Sequence, residues 1–118
     1  NRAIPPAFPA GASLSVKVCD GKDAYGKKER QIVLDFPSAL AAGHRGRVER
    51  YIVQAISDHD GFPVLTRHVA QDFYYHPIVK IPARQRCVLG ADEVPAGKNV
   101  KWQVVPVGIF GQEGKALT

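Results

Sequence analysis

The amino-acid sequence predicts an all-β fold, a sandwich of about seven short antiparallel strands. Three observations predict it. Apolar and polar residues alternate at period 2 in several short runs, which puts the apolar side chains on one face of a strand. Turn residues separate those runs: eleven glycines and nine prolines make up 20 of 118 residues, about 17% against an average of about 12%. No run is apolar for more than a few residues, so no membrane span is expected.

Residues 1–11 carry three prolines, which lack the amide donor and fix φ, so they predict an extended arm or linker ahead of a domain over 12–118. Leu14, Val16 and Val18 then alternate with polar positions and are candidate core residues. Residues 20–28 are a polar, glycine-containing loop. In the second strand Ile32, Leu34 and Phe36 share the core face, and Pro37 stops the ladder. Residues 38–43 have room for one helical turn. The run 48–57 predicts a strand with Tyr51 and Val53 on the core face; its β-branched content argues against a helix with Val48, Ile52 and Ala55 on one side.

Asp58-His59-Asp60-Gly61 is a hairpin turn signal. A return strand follows over 62–70, then Asp72-Phe73-Tyr74-Tyr75, a short proline-bracketed piece over 76–83, and a strand over 86–89. Val94-Pro95-Ala96-Gly97 turns into a strand whose core face holds Val100, Trp102 and Val104. A last strand is expected over 115–118. Seven strands in a chain of this size fit an immunoglobulin-like sandwich.

Sixteen Lys and Arg against eleven Asp and Glu give a net charge of +5. The basic residues group as Lys27, Lys28 and Arg30, as His44, Arg45, Arg47 and Arg50, and as Arg84 and Arg86. They fall at different strand ends, without the single stripe and interleaved aromatics of a nucleic-acid binder. Edge protection of the sheets is the simpler reading, and no nucleic-acid partner is expected.

Four histidines, His44, His59, His68 and His76, are scattered, and His44 and His59 stand about 30 Å apart if 48–57 is extended. No metal and no cofactor is expected. The serines sit outside any nucleophile elbow, and Cys19 and Cys87 have no sequence-local histidine. The domain alone is therefore expected to be non-catalytic. The two cysteines leave one long-range disulfide open. Three consecutive aromatics cannot all point inward from a strand. Asp72, Phe73, Tyr74 and Tyr75 are therefore candidate domain-interface residues, with Phe73 as core and the tyrosines over a sheet edge as the alternative.

Residues 94–111 resemble the turn and strand that precede the last strand of fibronectin type III domains, with Val100 where that family usually has tyrosine. A narrower resemblance spans nearly the whole chain. Its pieces are Pro6-Ala7-Phe8-Pro9-Ala10-Gly11-Ala12, Leu34-Asp35-Phe36-Pro37-Ser38-Ala39, Val48-Glu49-Arg50-Tyr51-Ile52-Val53-Gln54, Gln71-Asp72-Phe73-Tyr74 and Val104-Val105-Pro106-Val107-Gly108-Ile109-Phe110-Gly111. In that order they resemble the C-terminal fibronectin type III-like domain of secreted bacterial calcineurin-like metallophosphoesterases.

The resemblance implies a parent enzyme with two metals whose ligands lie outside these residues, and an accessory domain that packs on the catalytic domain or shapes access to its cleft. It also implies a secreted, periplasmic or cell-surface location. The absence of methionine agrees with a module of a longer or processed chain, monomeric as a fragment. A carbohydrate- or protein-binding adhesion module is the first alternative function, and a basic nucleic-acid-binding domain the second.

Overall fold

The structure, a computed structural model, describes residues 3–41, 47–75 and 77–118, and for Tyr74 and Tyr75 the main chain only. Its strands are β1 (Ser15–Lys22), β2 (Lys28–Pro37), β3 (Val48–Ser57), β4 (Pro63–Ala70), β5 (Tyr74–Tyr75), β6 (Val79–Lys80), β7 (Arg84–Gly90) and β8 (Val100–Gly108). All pairings are antiparallel. One sheet has the order β1-β2-β7 and the other β4-β3-β8, with β5-β6 as a separate two-stranded piece. This is the expected all-β sandwich, and the order matches one immunoglobulin-type sheet facing another.

The core sits between the two sheets. Ile32, Leu34 and Phe36 of β2 meet Tyr51 and Val53 of β3, Val104 of β8, and Cys87 and Leu89 of β7. Leu34, Phe36, Tyr51, Val53 and Val104 have no exposed surface. Leu14 and Trp102 are partly buried against this cluster, and Val100 is half-buried. The 48–57 run is a strand throughout, with Tyr51, Val53, Ala55 and Ser57 inward. The turn after it closes with Gly61 at φ +75°, a left-handed backbone conformation that residues with a side chain rarely adopt.

Four expectations need correction. Val16 and Val18 are not core: they are exposed by 39% and 56%. They face the core side, since they pair with Leu34 and Ile32, but β1 is an edge strand of its sheet and leaves them open to solvent. Residues 38–41 form no helical turn; Leu40 instead bridges Ala7 through two main-chain hydrogen bonds, and 42–46 lie outside the described residues.

The proline-rich arm is extended, as proline dictates, yet it is part of the sandwich. Phe8 stacks on Tyr51 at 6.0 Å and meets Phe36 edge-on at 6.2 Å, and Pro6 is buried. The last strand is reduced to two bridges, Val107 with Glu113 and Val104 with Leu117.

Candidate functional site: an apolar loop end

The antiparallel order brings the end of β2, the start of β3, the end of β4, the start of β7 and the end of β8 to one end of the sandwich. Residues 38–41, 71–75, 77–83 and 109–112 therefore cluster there. That end is apolar. Phe73, Ile78 and Phe110 are exposed by 61%, 64% and 66%, and Leu40, Val79, Ile81 and Ile109 are exposed as well. At the opposite end the large exposed hydrophobics are Tyr25 and Phe62.

Two concavities join on this surface. One, of about 500 Å³, lies between Leu40, Ala41, Ile81 and Pro82. The other, of about 280 Å³, lies between Phe73, Val79 and Ile81. Arg47, Val48, Gln71 and Ile81 line both. The Ile109 amide donates to the Arg47 carbonyl at 3.0 Å, which brings the 109–111 turn beside them.

A buried polar network holds these loops. The Tyr51 hydroxyl accepts the Ala39 amide at 2.9 Å and donates to Gln71 Oε1. Gln85 is 2% exposed. Its Nε2 donates to Ser38 Oγ at 2.7 Å, and its Oε1 accepts the Asp72 amide at 2.9 Å. Ser38 Oγ donates onward to the Pro82 carbonyl at 2.6 Å. Each buried group is thus satisfied, which is what keeps such a network from destabilising the core. Three separate segments are tied to β3 and β7 by it, so the apolar surface is presented on fixed backbone. Burial pushes the Tyr51 phenol above its ordinary value against the lowering effect of these hydrogen bonds.

Of the four interface candidates, Asp72 and Phe73 are exposed at this end. Asp72 Oδ1 accepts the Phe73 amide at 3.0 Å, which turns the chain out of the sheet. The main chains of Tyr74 and Tyr75 form β5, paired with Lys80 and Val79; their side chains lie outside the described residues. The alternative of Phe73 as a core residue does not hold. Sequence reasoning missed Gln85, Gln71 and Ser38 as supports and Ile78, Val79 and Ile81 as surface. Alternation of Gln85 with Cys87 and Leu89 was the available signal for Gln85.

Other chemistry-bearing residues do not converge. His59 lies in the exposed turn after β3, while His68 sits on the outer face of β4, where its Nδ1 accepts from Arg50 Nε at 3.1 Å. His44 and His76 lie outside the described residues. Among the described residues no group of three His, Cys, Asp or Glu is arranged to hold a metal ion. Cys19 and Cys87 are free thiols. Cys19 pairs with Gln31 and Cys87 with Leu34, so the two thiols point to opposite faces of one sheet. Arg30, Arg50, Arg67 and Arg84 carry ion pairs with Asp20, Glu49, Glu93 and Asp35.

No family model, no curated protein and no solved structure matches the chain.

Proposed function

We propose that this chain is a non-catalytic accessory domain that docks through its apolar loop end on a catalytic domain of the same parent polypeptide. The observation that carries the reading is the surface of Leu40, Phe73, Ile78, Val79, Ile81 and Phe110, exposed at one end and held there by the Tyr51 and Gln85 network. Aromatic and aliphatic side chains grouped on fixed backbone are typical of the buried centre of an interface. Left in water, such a patch costs apolar burial that docking recovers at about 25 cal/mol per Å².

The ordered pieces from Pro6 to Gly111 support a metallophosphoesterase as the parent, with its metals held elsewhere and this domain flanking the cleft. A secreted or cell-surface location belongs to the same reading. The test is the full open reading frame together with an activity assay. A metallophosphoesterase domain upstream of Asn1, with no aryl-phosphate turnover by residues 1–118 plus divalent metals, is the expected result. A start codon immediately before Asn1, or turnover by the isolated domain, overturns the proposal.

A further inference from the structure

The β1–β2 hairpin overhangs its sheet at the end remote from the apolar loop surface. Pairing of β2 with β7 stops at Gln31 opposite Gly90, whereas pairing of β1 with β2 runs on to Lys22 opposite Lys28. The turn beyond is fixed by its own hydrogen bonds. Asp23 Oδ1 accepts the Tyr25 and Lys27 amides, each at 2.9 Å. The Asp23 amide donates to the Lys27 carbonyl at 2.8 Å, and the Gly26 amide donates to the Asp23 carbonyl at 3.0 Å. Gly26 supplies the positive φ, +79°, that closes the turn. Tyr25 stands on this turn with 96% of its surface exposed.

Behind Tyr25 the charges are set against the hairpin's own stability. Lys22 and Lys28 are directly opposed across the strands, and like charges so placed repel. Among the described residues neither they nor Lys27 form an ion pair, while Arg30 is matched to Asp20 at 3.0 Å. The sole acid between Lys22 and Lys28 is Asp23, whose carboxylate is engaged by the two amides. Unneutralised ammonium groups beside an ordered, uncovered aromatic are a local conflict that an external anionic partner removes. A free anion has no dedicated seat here: the concavity behind the tip, about 570 Å³, is lined by Asp20 and Glu29 as well as by Lys22, Lys28 and Arg30. One aromatic is also too few for the successive base stacking of a single-stranded nucleic acid.

We propose that this hairpin tip is a peripheral contact for an anionic lipid surface. Tyrosine, with an apolar ring and a polar hydroxyl, favours the headgroup level of a bilayer. Lys22, Lys27 and Lys28 lie two or three residues from Tyr25 along the chain. With the ring among the headgroups, their ammonium groups reach the phosphates, where anionic lipid attracts each of them. The turn is ordered before contact, so little conformational entropy is lost in binding. The 58–62 turn at the same end carries Asp58 and Asp60, so the contact belongs to the β1–β2 hairpin alone. The apolar loop surface lies at the other end of the sandwich, and the two contacts do not compete.

The test is co-sedimentation with vesicles of phosphatidylcholine mixed with phosphatidylserine, set against phosphatidylcholine alone. The expected result is saturable binding to the mixed vesicles that added salt weakens, and little binding to the neutral ones. Lys22→Glu combined with Lys28→Glu is expected to weaken binding at least tenfold, since each lysine near an anionic surface is worth about fivefold. Tyr25→Ser, at an exposed position and with an unchanged far-UV spectrum, is expected to weaken it severalfold. Lys101→Glu combined with Lys115→Glu makes the same change in net charge on exposed residues away from the hairpin, and is expected to cost about twofold at most. No binding to the mixed vesicles, equal losses from the two double reversals, or full release by inorganic phosphate at matched ionic strength would overturn the proposal. So would tighter binding of a single-stranded oligonucleotide than of the mixed vesicles.

Discussion

The Tyr51 hydroxyl donates to Gln71 Oε1, and so joins the centre of β3 to the segment that leads out of β4. The same oxygen accepts the Ala39 amide at 2.9 Å. One buried phenol therefore holds two of the segments that frame the apolar surface. Tyr51→Phe keeps the ring against Phe8 and Phe36 but strands both partners. It is expected to destabilise the domain by about 1–3 kcal/mol, the usual cost of orphaned buried polar groups. Urea denaturation checks this, and a loss below about 0.5 kcal/mol would contradict it, since that is the range of ordinary surface changes.

Gln85 carries the other half of the network. Gln85→Leu matches its size yet leaves the Asp72 amide and Ser38 Oγ without their partner. A stability loss of about 1–3 kcal/mol is expected. Hydrogen exchange adds a local readout: the Asp72 amide should exchange faster in the variant than in the parent, whereas amides of the distant 23–27 turn should not change.

The chain should lose stability in alkali. Burial raises the Cys87 thiol above its ordinary 9.0 and the Tyr51 phenol above its ordinary 10.0. At a pH above those values the unfolded chain has released protons that the folded chain still holds. Their contribution is fully present below the unfolded values and is lost as pH rises through the folded ones. Thermal melts between pH 8 and pH 11 should show a falling Tm, and Tyr51→Phe should remove the part of the fall that begins near 10.0.

The two thiols should behave differently. Cys19 is partly exposed on the outer face of the first sheet, and Cys87 is buried on its inner face. A thiol reagent should modify Cys19 quickly and Cys87 only as the domain opens. Air oxidation of the native domain should yield no intramolecular bridge, because a disulfide needs the two Cβ atoms to face each other.

Alternation along the chain was enough to identify the strands and most of the core, because period 2 assigns a face directly. It could not tell that Val16 and Val18 are uncovered. Their face is right, but coverage depends on whether the second sheet reaches across β1, and that is a tertiary fact. Phe8 was hidden for a different reason. Proline content describes the conformation of the arm and says nothing of a ring docking on Phe36 and Tyr51 from far along the chain. Residues 38–41 have helix-compatible composition, but pairing of Leu40 with Ala7 satisfies their backbone in an extended form. The apolar end was visible only in Asp72 and Phe73. Its remainder comes from loops well separated in sequence, and its supports are pairs such as Ser38 and Gln85, separated by 47 residues.

Surface substitutions at the apolar end should leave the isolated domain intact. Phe73→Asp and Val79→Lys replace exposed side chains, so each is expected to change stability by no more than about 0.5 kcal/mol. In the parent protein the same changes should separate the domain from its neighbour, seen as faster proteolysis between the two.

The most direct measurement of the docking claim is hydrogen exchange of residues 1–118 alone and within the parent polypeptide. Slower exchange in the parent at 39–41, 71–81 and 109–111, with unchanged exchange at the 23–27 and 58–62 turns, is the predicted result. Equal exchange at the apolar end in both forms would contradict it.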